Sequence, residues 1–256
     1  MNVGVIEMWS FLLVFARVSA LFATAPVLGS RTIPARVKAG LAALVSLAIR
    51  PLVERVVSAP PDNLVAFAGQ IGAEVFVGLC LGFIASLVIM SIQIAGAFLD
   101  TQMGFGMMQV LNPMTGQTTG DIGNFLNQLA LSLFIIGGGP LELIRAVVAG
   151  YATVPPGAVH LAGDPITVLI AVVTGMFELA FRIALPAAAV LLAVDVAFAI
   201  ISRSMPQMNI FMVGVPAKVV IGLSTLAMLL PPLATKMHDM MGIIMDGYTR
   251  FLPVAR

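Results

Sequence analysis

From Leu64 to Leu99 the chain runs without a proline and with one charged residue, Glu74. At about 1.5 Å of rise per residue, a helix over this stretch is well beyond a hydrocarbon core about 30 Å thick. Such a segment is strongly tilted, or bent, or extends past the lipid. Composition excludes a water-facing fold around it. Of the 256 residues, 60% are hydrophobic and 10% charged, against about 45–50% and about 25% in an ordinary soluble domain. That leaves too little polar material to coat a surface facing water, which excludes a soluble enzyme and a disordered chain. The 13 Lys and Arg nearly balance the 12 Asp and Glu. No basic block is present, which argues against nucleic acid as a partner. A single cysteine, Cys80, makes an intrachain disulfide impossible. The 16 Met and 24 Gly point to adaptable apolar surfaces and close helix packing.

The remaining apolar segments are bounded by proline, glycine and charge. The first covers about 5–25. Glu7 precedes it and Arg17 interrupts it, so it reads as a retained helix and not a cleaved signal. A connector with Arg31, Arg36 and Lys38 follows, then a second segment over about 39–52, short for a span of about 20 residues. A polar break from Arg50 to Asp62 is again basic. Successive loops of a serially threaded protein alternate in Lys and Arg content, so this second segment either does not span or forms half of a re-entrant hairpin. A fourth segment, about 122–136, stops at Gly137 to Pro140 and leads through a short amphipathic piece, about 141–151, to a turn at Pro155-Pro156-Gly157. A long helix over about 165–201, kinked at Pro186, is followed by a connector from Ser202 to Pro216. The pattern predicts a returning helix over about 217–230, broken by Pro231 and Pro232, and an amphipathic tail. The fold class is all-α: one polytopic membrane domain over 1–256, built from long broken helices and helical hairpins.

Arg17, Glu74, Glu178, Arg182 and Asp195 lie inside apolar runs, where a charge at the bilayer centre costs roughly 2.5–3.5 kcal/mol. Glu178 and Arg182 are spaced to meet on one helix face. They read as a buried charge pair, with an ion path as the sharper alternative. Asp100 to Gly120 is unusual in another way: it carries no Lys or Arg and is rich in Gly and Met. It also echoes a later stretch. Glu74 precedes Gln102-Met103, Phe105 and Asn112-Pro113 much as Glu178 precedes Gln207-Met208, Phe211 and Val215-Pro216. His160 and His238 are far apart, and no metal-binding, nucleotide-cradling or nucleophile motif is present. The reading is a passage or scaffold protein without catalysis, cofactor or metal.

Two stretches carry a family resemblance. One runs Ala95-Gly96, Asp100-Thr-Gln-Met-Gly104, Phe105 and Asn112-Pro113-Met-Thr-Gly116. The other is Arg203-Ser-Met-Pro206-Gln207-Met-Asn-Ile-Phe211-Met-Val-Gly214-Val-Pro216-Ala-Lys218 through Gly222. With Arg17, Pro26 and Gly29 they resemble the FliR family of flagellar type III export-gate proteins, related to the injectisome SctT subunits. The resemblance implies a hetero-oligomeric gate with FliP and FliQ, joined by FlhB and FlhA. Its pore passes unfolded flagellar substrate proteins across the bacterial inner membrane at the flagellar basal body. It also implies a FliP-like part over approximately 1–160 and a FliQ-like hairpin and tail over approximately 161–256. Neighbouring subunits, and not lipid alone, would then cover much apolar surface, which accounts for the loop charges.

The resemblance further offers a role for the 104–120 loop as a pore plug. Gly104 and Gly106 permit unusual backbone angles. Met103, Phe105, Met107 and Met108 supply a deformable, uncharged seal, closed by Asn112 and Pro113. The competing reading is that these side chains pack on neighbouring helices. Two other functions stay open: a small-solute secondary transporter, also rich in glycine and broken by proline, and the equivalent injectisome subunit.

Overall fold

The computed structural model describes residues 3–53, 57, 60–61, 63–105, 120–159, 165–205, 207 and 210–252. Among them every regular element is helical: α1 (Val3–Thr24), α2 (Ala35–Val53), α3 (Leu64–Met103), α4 (Asp121–Ile136), α5 (Gly139–Thr153), α6 (Pro165–Ser204) and α7 (Ile210–Phe251). Among the described residues, four helical stretches are long and apolar enough to cross a membrane: Gly4–Thr24, Leu64–Met103, Ile166–Ser204 and Met212–Leu233. α4 and α5 form a fifth candidate, bent by 63°. Glycine explains that bend. Gly138 takes φ of 75°, a left-handed conformation, and Pro140 lies in the first turn of α5. The helix therefore stops and restarts in a new direction.

α2 is too polar to join the candidate spans, as its short apolar run and basic flanks predict. The proline-poor stretch becomes one uninterrupted helix, α3, of 40 residues. The last segment corrects the sequence reading. α7 runs for 42 residues through Pro216, Pro231 and Pro232, so Pro231 and Pro232 do not break it and the connector does not extend to Pro216. Each proline removes one backbone donor and crowds the carbonyl one turn back. In apolar surroundings, packing and local adjustment let a helix continue through it.

The chain divides into two compact units. The first comprises Met1–Val88, Phe134–Val173 and Met240–Arg256; the second comprises Ile89–Leu133 and Thr174–Asp239. In the first, Leu13, Val14, Leu21, Val77, Leu81, Leu143 and Phe251 are fully buried. α1 and α3 cross closely there: a side chain at Gly78 would collide with the Arg17 carbonyl, and one at Gly82 with the Thr24 hydroxyl. Thr24 Oγ1 donates to the Leu79 carbonyl at 3.2 Å across the same crossing. In the second unit, Ile92, Ala95, Leu99, Leu126, Ala130, Ala184 and Leu191 form the core. Phe98 of α3 meets Phe181 of α6 edge-on with ring centroids 5.9 Å apart. The core of this unit is rich in alanine and glycine, which lets backbones approach where lipid supplies no hydrophobic drive between helices.

Candidate functional site

The first site is a buried ion pair. Arg17 on α1 donates from Nε to Oε2 of Glu74 on α3 at 2.6 Å, and neither side chain is exposed at all. The other Glu74 oxygen, Oε1, accepts the Gly157 N–H at 2.9 Å. Nη1 and Nη2 of Arg17 each reach the Val154 carbonyl at 3.4 Å. The guanidinium also lies over the Tyr151 ring, 4.2 Å from its centroid, a cation–π contact. The pair thus ties α1 and α3 to the turn after α5. A charge this deep in apolar surroundings persists only when paired and hydrogen-bonded, and both conditions are met. The sequence marks Arg17 and Glu74 as misplaced charges but does not join them. They lie 57 residues apart, and only pairs on one helix face can be read from spacing.

The second site is in the other unit. Asp100, near the end of α3, is 2% exposed. Its Oδ1 accepts the Ile122 N–H at 3.1 Å and its Oδ2 the Gly123 N–H at 2.9 Å. It therefore caps the first turn of α4 from another helix. Lys218 of α7 pairs with Asp195 of α6 in the same unit, which links the two arms of the terminal hairpin.

The residues singled out from the sequence fall into three groups. Met103 is 1% exposed and packs where Gly222 leaves room: a Cβ on Gly222 would fall 2.5 Å from the Met103 Cε. In this chain it is therefore a packing residue. Gly104 ends α3 with φ of 90°, as a backbone reserved for glycine should, and Phe105 is half-buried. Gly106, Met107, Met108, Asn112 and Pro113 lie outside the described residues, as does Pro206. Glu178 and Arg182 do pair, at 2.6 Å across one turn of α6, but the side chains are 61% and 74% exposed. Among the described residues of this chain, none buries the pair. Of the hairpin motif, Arg203 lies exposed in the last turn of α6, Gln207 is exposed between the helices, and Phe211 lies in the first turn of α7. Gly214 is buried, Pro216 is exposed inside α7, and Lys218 makes the ion pair already described.

The terminal hairpin holds the least covered of the candidate spans. Only 17% of the apolar window is buried in each of its two spans, against 67% in α3. Phe177, Leu185, Leu192 and Ile200 on α6, and Met212, Val220 and Met228 on α7, are all exposed. Among the described residues no group of three or more His, Cys, Asp or Glu side chains could hold a metal ion.

Four or five apolar helical spans, charges paired within them and an uncovered helical hairpin define a polytopic integral membrane protein. The sequence profile of the bacterial export proteins, family 1, matches residues 8–243, and the chain belongs to that family. It is similar to the flagellar biosynthetic protein FliR of Bacillus subtilis, 35% identical over 83% of this chain and 82% of the relative. It is 32% identical to the protein of the same name in Caulobacter vibrioides, over 93% of this chain and 94% of the relative. It is also 26% identical to the Yop proteins translocation protein T of Yersinia pestis, over 72% and 71%.

Proposed function

We propose that this chain is a non-catalytic subunit of a flagellar type III export gate. In this reading it forms part of the pore through which unfolded flagellar proteins cross the bacterial inner membrane, at the flagellar basal body. The observation that carries the reading is family membership across residues 8–243. Higher identity to the relatives named for flagellar biosynthesis than to the Yop translocation protein favours the flagellar branch over the injectisome.

The uncovered hairpin supports a hetero-oligomer. Apolar spans with 17% of their window buried leave a large surface for neighbouring helices, and the partners that fit are FliP-, FliQ-, FlhB- and FlhA-type proteins. A neighbour seated on α6 would also bury Glu178 and Arg182. The division into a FliP-like part over 1–160 and a FliQ-like hairpin over 161–256 is one of resemblance, since the compact units interleave the two. A small-solute transporter is less well supported, because it needs ligating polar groups at mid-depth, whereas the buried charges here are spent on one another and on backbone.

The uncharged segment from Gly104 to Gly120 serves in this reading as the resting seal. An apolar constriction blocks ions by staying dry, and methionine repacks around a passing chain at low cost. The test is two-sided. An affinity-tagged chain expressed from its native operon should bring down FliP- and FliQ-type subunits; a functional monomer in detergent would contradict the assembly. Removing Phe105–Val110 should raise ion leakage with assembly intact; a tight assembled gate would assign the seal elsewhere.

A further inference from the structure

The start of α2 carries cations that nothing in the chain compensates. From Met8 to Val53 the sequence holds five cations and no Asp or Glu. Two of the five find acids outside that stretch: Arg17 pairs with Glu74, and Arg50 reaches Glu7 at 3.7 Å. Among the described residues, Arg31, Arg36 and Lys38 have no such partner. The other described acids of the same compact unit, Glu142 and Asp246, are each paired with an arginine on their own helix. Arg31 and Arg36 are exposed, and Lys38 is half-buried.

The contact between Arg50 and Glu7 fixes where these cations lie. It joins the last turn of α2 to the start of α1, so the two helices run antiparallel and the cations sit at the opposite end. The chain turns tightly there: the Gly29 N–H donates to the Ala25 carbonyl at 2.8 Å, and a Cβ at position 29 would fall 2.8 Å from the same oxygen. The candidate span of α1 ends at Thr24, which sets the cationic turn at the edge of the apolar layer. α2 buries Ala42, Ser46 and Ile49 on one face. Its other face exposes Val37, Leu41, Leu44, Leu47 and Leu52. At 1.5 Å per residue that apolar stripe runs about 22 Å away from the cations.

We propose that this end of the α1–α2 hairpin binds an anionic phospholipid. Arg31, Arg36 and Lys38 take the headgroup phosphate, and the acyl chains lie along the leucine face of α2. Charge complementarity selects the headgroup: three unpaired cations favour a net negative group, and a zwitterionic lipid would bring its own ammonium against them. The stripe selects a lipid over a free anion, because it calls for apolar chains attached to the same charge. An acidic protein segment would answer the cations but leave the leucines bare.

The test uses the full chain, purified with whatever subunits accompany it, in a neutral detergent. It is given equal amounts of phosphatidylglycerol and phosphatidylcholine with the same acyl chains, and native mass spectrometry reads the ratio of the two lipids retained. The native chain should prefer phosphatidylglycerol. Arg31→Gln, Arg36→Gln and Lys38→Gln should each lower that preference about fivefold, equivalent to about 1 kcal/mol per cation. Arg31→Lys/Arg36→Lys should keep it, and so should Arg145→Gln, which removes an exposed cation paired on its own helix. Leu41→Ser/Leu44→Ser should reduce the phosphatidylglycerol retained with all three cations in place. Should the glutamine variants fail to accumulate, sodium chloride added to the native chain carries the test: a preference held by charge falls as salt rises, and one indifferent to salt overturns the proposal. A triple glutamine variant that keeps the native preference overturns it as well. Loss of a co-purified subunit from that variant, with lipid retention unchanged, would overturn it in favour of an acidic protein partner. Displacement of phosphatidylglycerol by inorganic phosphate at equal concentration would overturn it in favour of a free-anion site.

Discussion

Replacing Glu74 by leucine removes three things at once: the counter-ion of Arg17, the acceptor of the Gly157 amide, and the link from α3 to the turn after α5. What remains is a fully buried guanidinium with two contacts of 3.4 Å to one carbonyl and an aromatic face. Breaking a buried pair by deleting one partner costs about 3–5 kcal/mol. The orphaned Gly157 amide adds about 1–3 kcal/mol. Arg17→Leu should be milder, at about 3–5 kcal/mol, because the Gly157 amide keeps its acceptor. The double variant Arg17→Leu/Glu74→Leu removes both charges and fills the space with apolar atoms. It should therefore retain only the cost of the orphaned amide, about 1–3 kcal/mol. The assay is equilibrium unfolding of the purified chain in mixed micelles, run as a double-mutant cycle. The expected order is Glu74→Leu worst, Arg17→Leu next and the double variant least affected, with a coupling of several kcal/mol. Additive losses, or single variants within about 1 kcal/mol of the native chain, would refute the claim that the two charges depend on each other.

Three further outcomes are expected. Gly78→Leu should prevent accumulation of the protein in membranes, because the new side chain meets the Arg17 backbone; Gly72→Leu, with open space around it, should not, and immunoblots of membrane fractions compare the two. Gly222→Ala should lower the unfolding midpoint of the purified chain through its clash with Met103, and Met103→Ala should recover part of that loss in the double variant. Glu178→Ala and Arg182→Ala should each change the stability of the isolated chain by less than about 1 kcal/mol, as exposed pairs do, yet each should weaken co-purification with FliP- and FliQ-type subunits.

Helix existence was legible in hydropathy because membrane spans are long and apolar. α1, α3, α4 and α6 fall within a few residues of their expected bounds, and the glycine-proline run at 137–140 marks the bend between α4 and α5. α7 extends past its expected bounds at both ends for one physical reason. In water a helix can end at proline because solvent takes up the freed backbone groups; in packed apolar surroundings ending it would leave more of them unpaired, so the helix continues through. The site shows the same divide. Glu178 and Arg182 pair because one helix turn separates them, a spacing the sequence shows, whereas their burial depends on what else covers α6. Arg17 with Glu74, and Asp100 with the α4 amides, join positions 57 and 22 residues apart, and only the packed helices bring them together. Arg17 and Glu74 show in the chain only as charges inside apolar runs, and Asp100 only as the opening residue of the Gly- and Met-rich stretch.

Photo-cross-linking from the root of the 104–120 segment to a polypeptide in transit tests the export role most directly. A photoreactive amino acid replaces Phe105, at the described root of the segment, in a gate loaded with an export substrate whose folded tag stalls it. A covalent adduct between this chain and the stalled substrate, absent when the substrate lacks its export signal, is the result expected of a pore subunit. Adducts that form from neighbouring subunits in the same gate but not from Phe105 of this chain would contradict it, and would leave the protein a scaffold outside the passage.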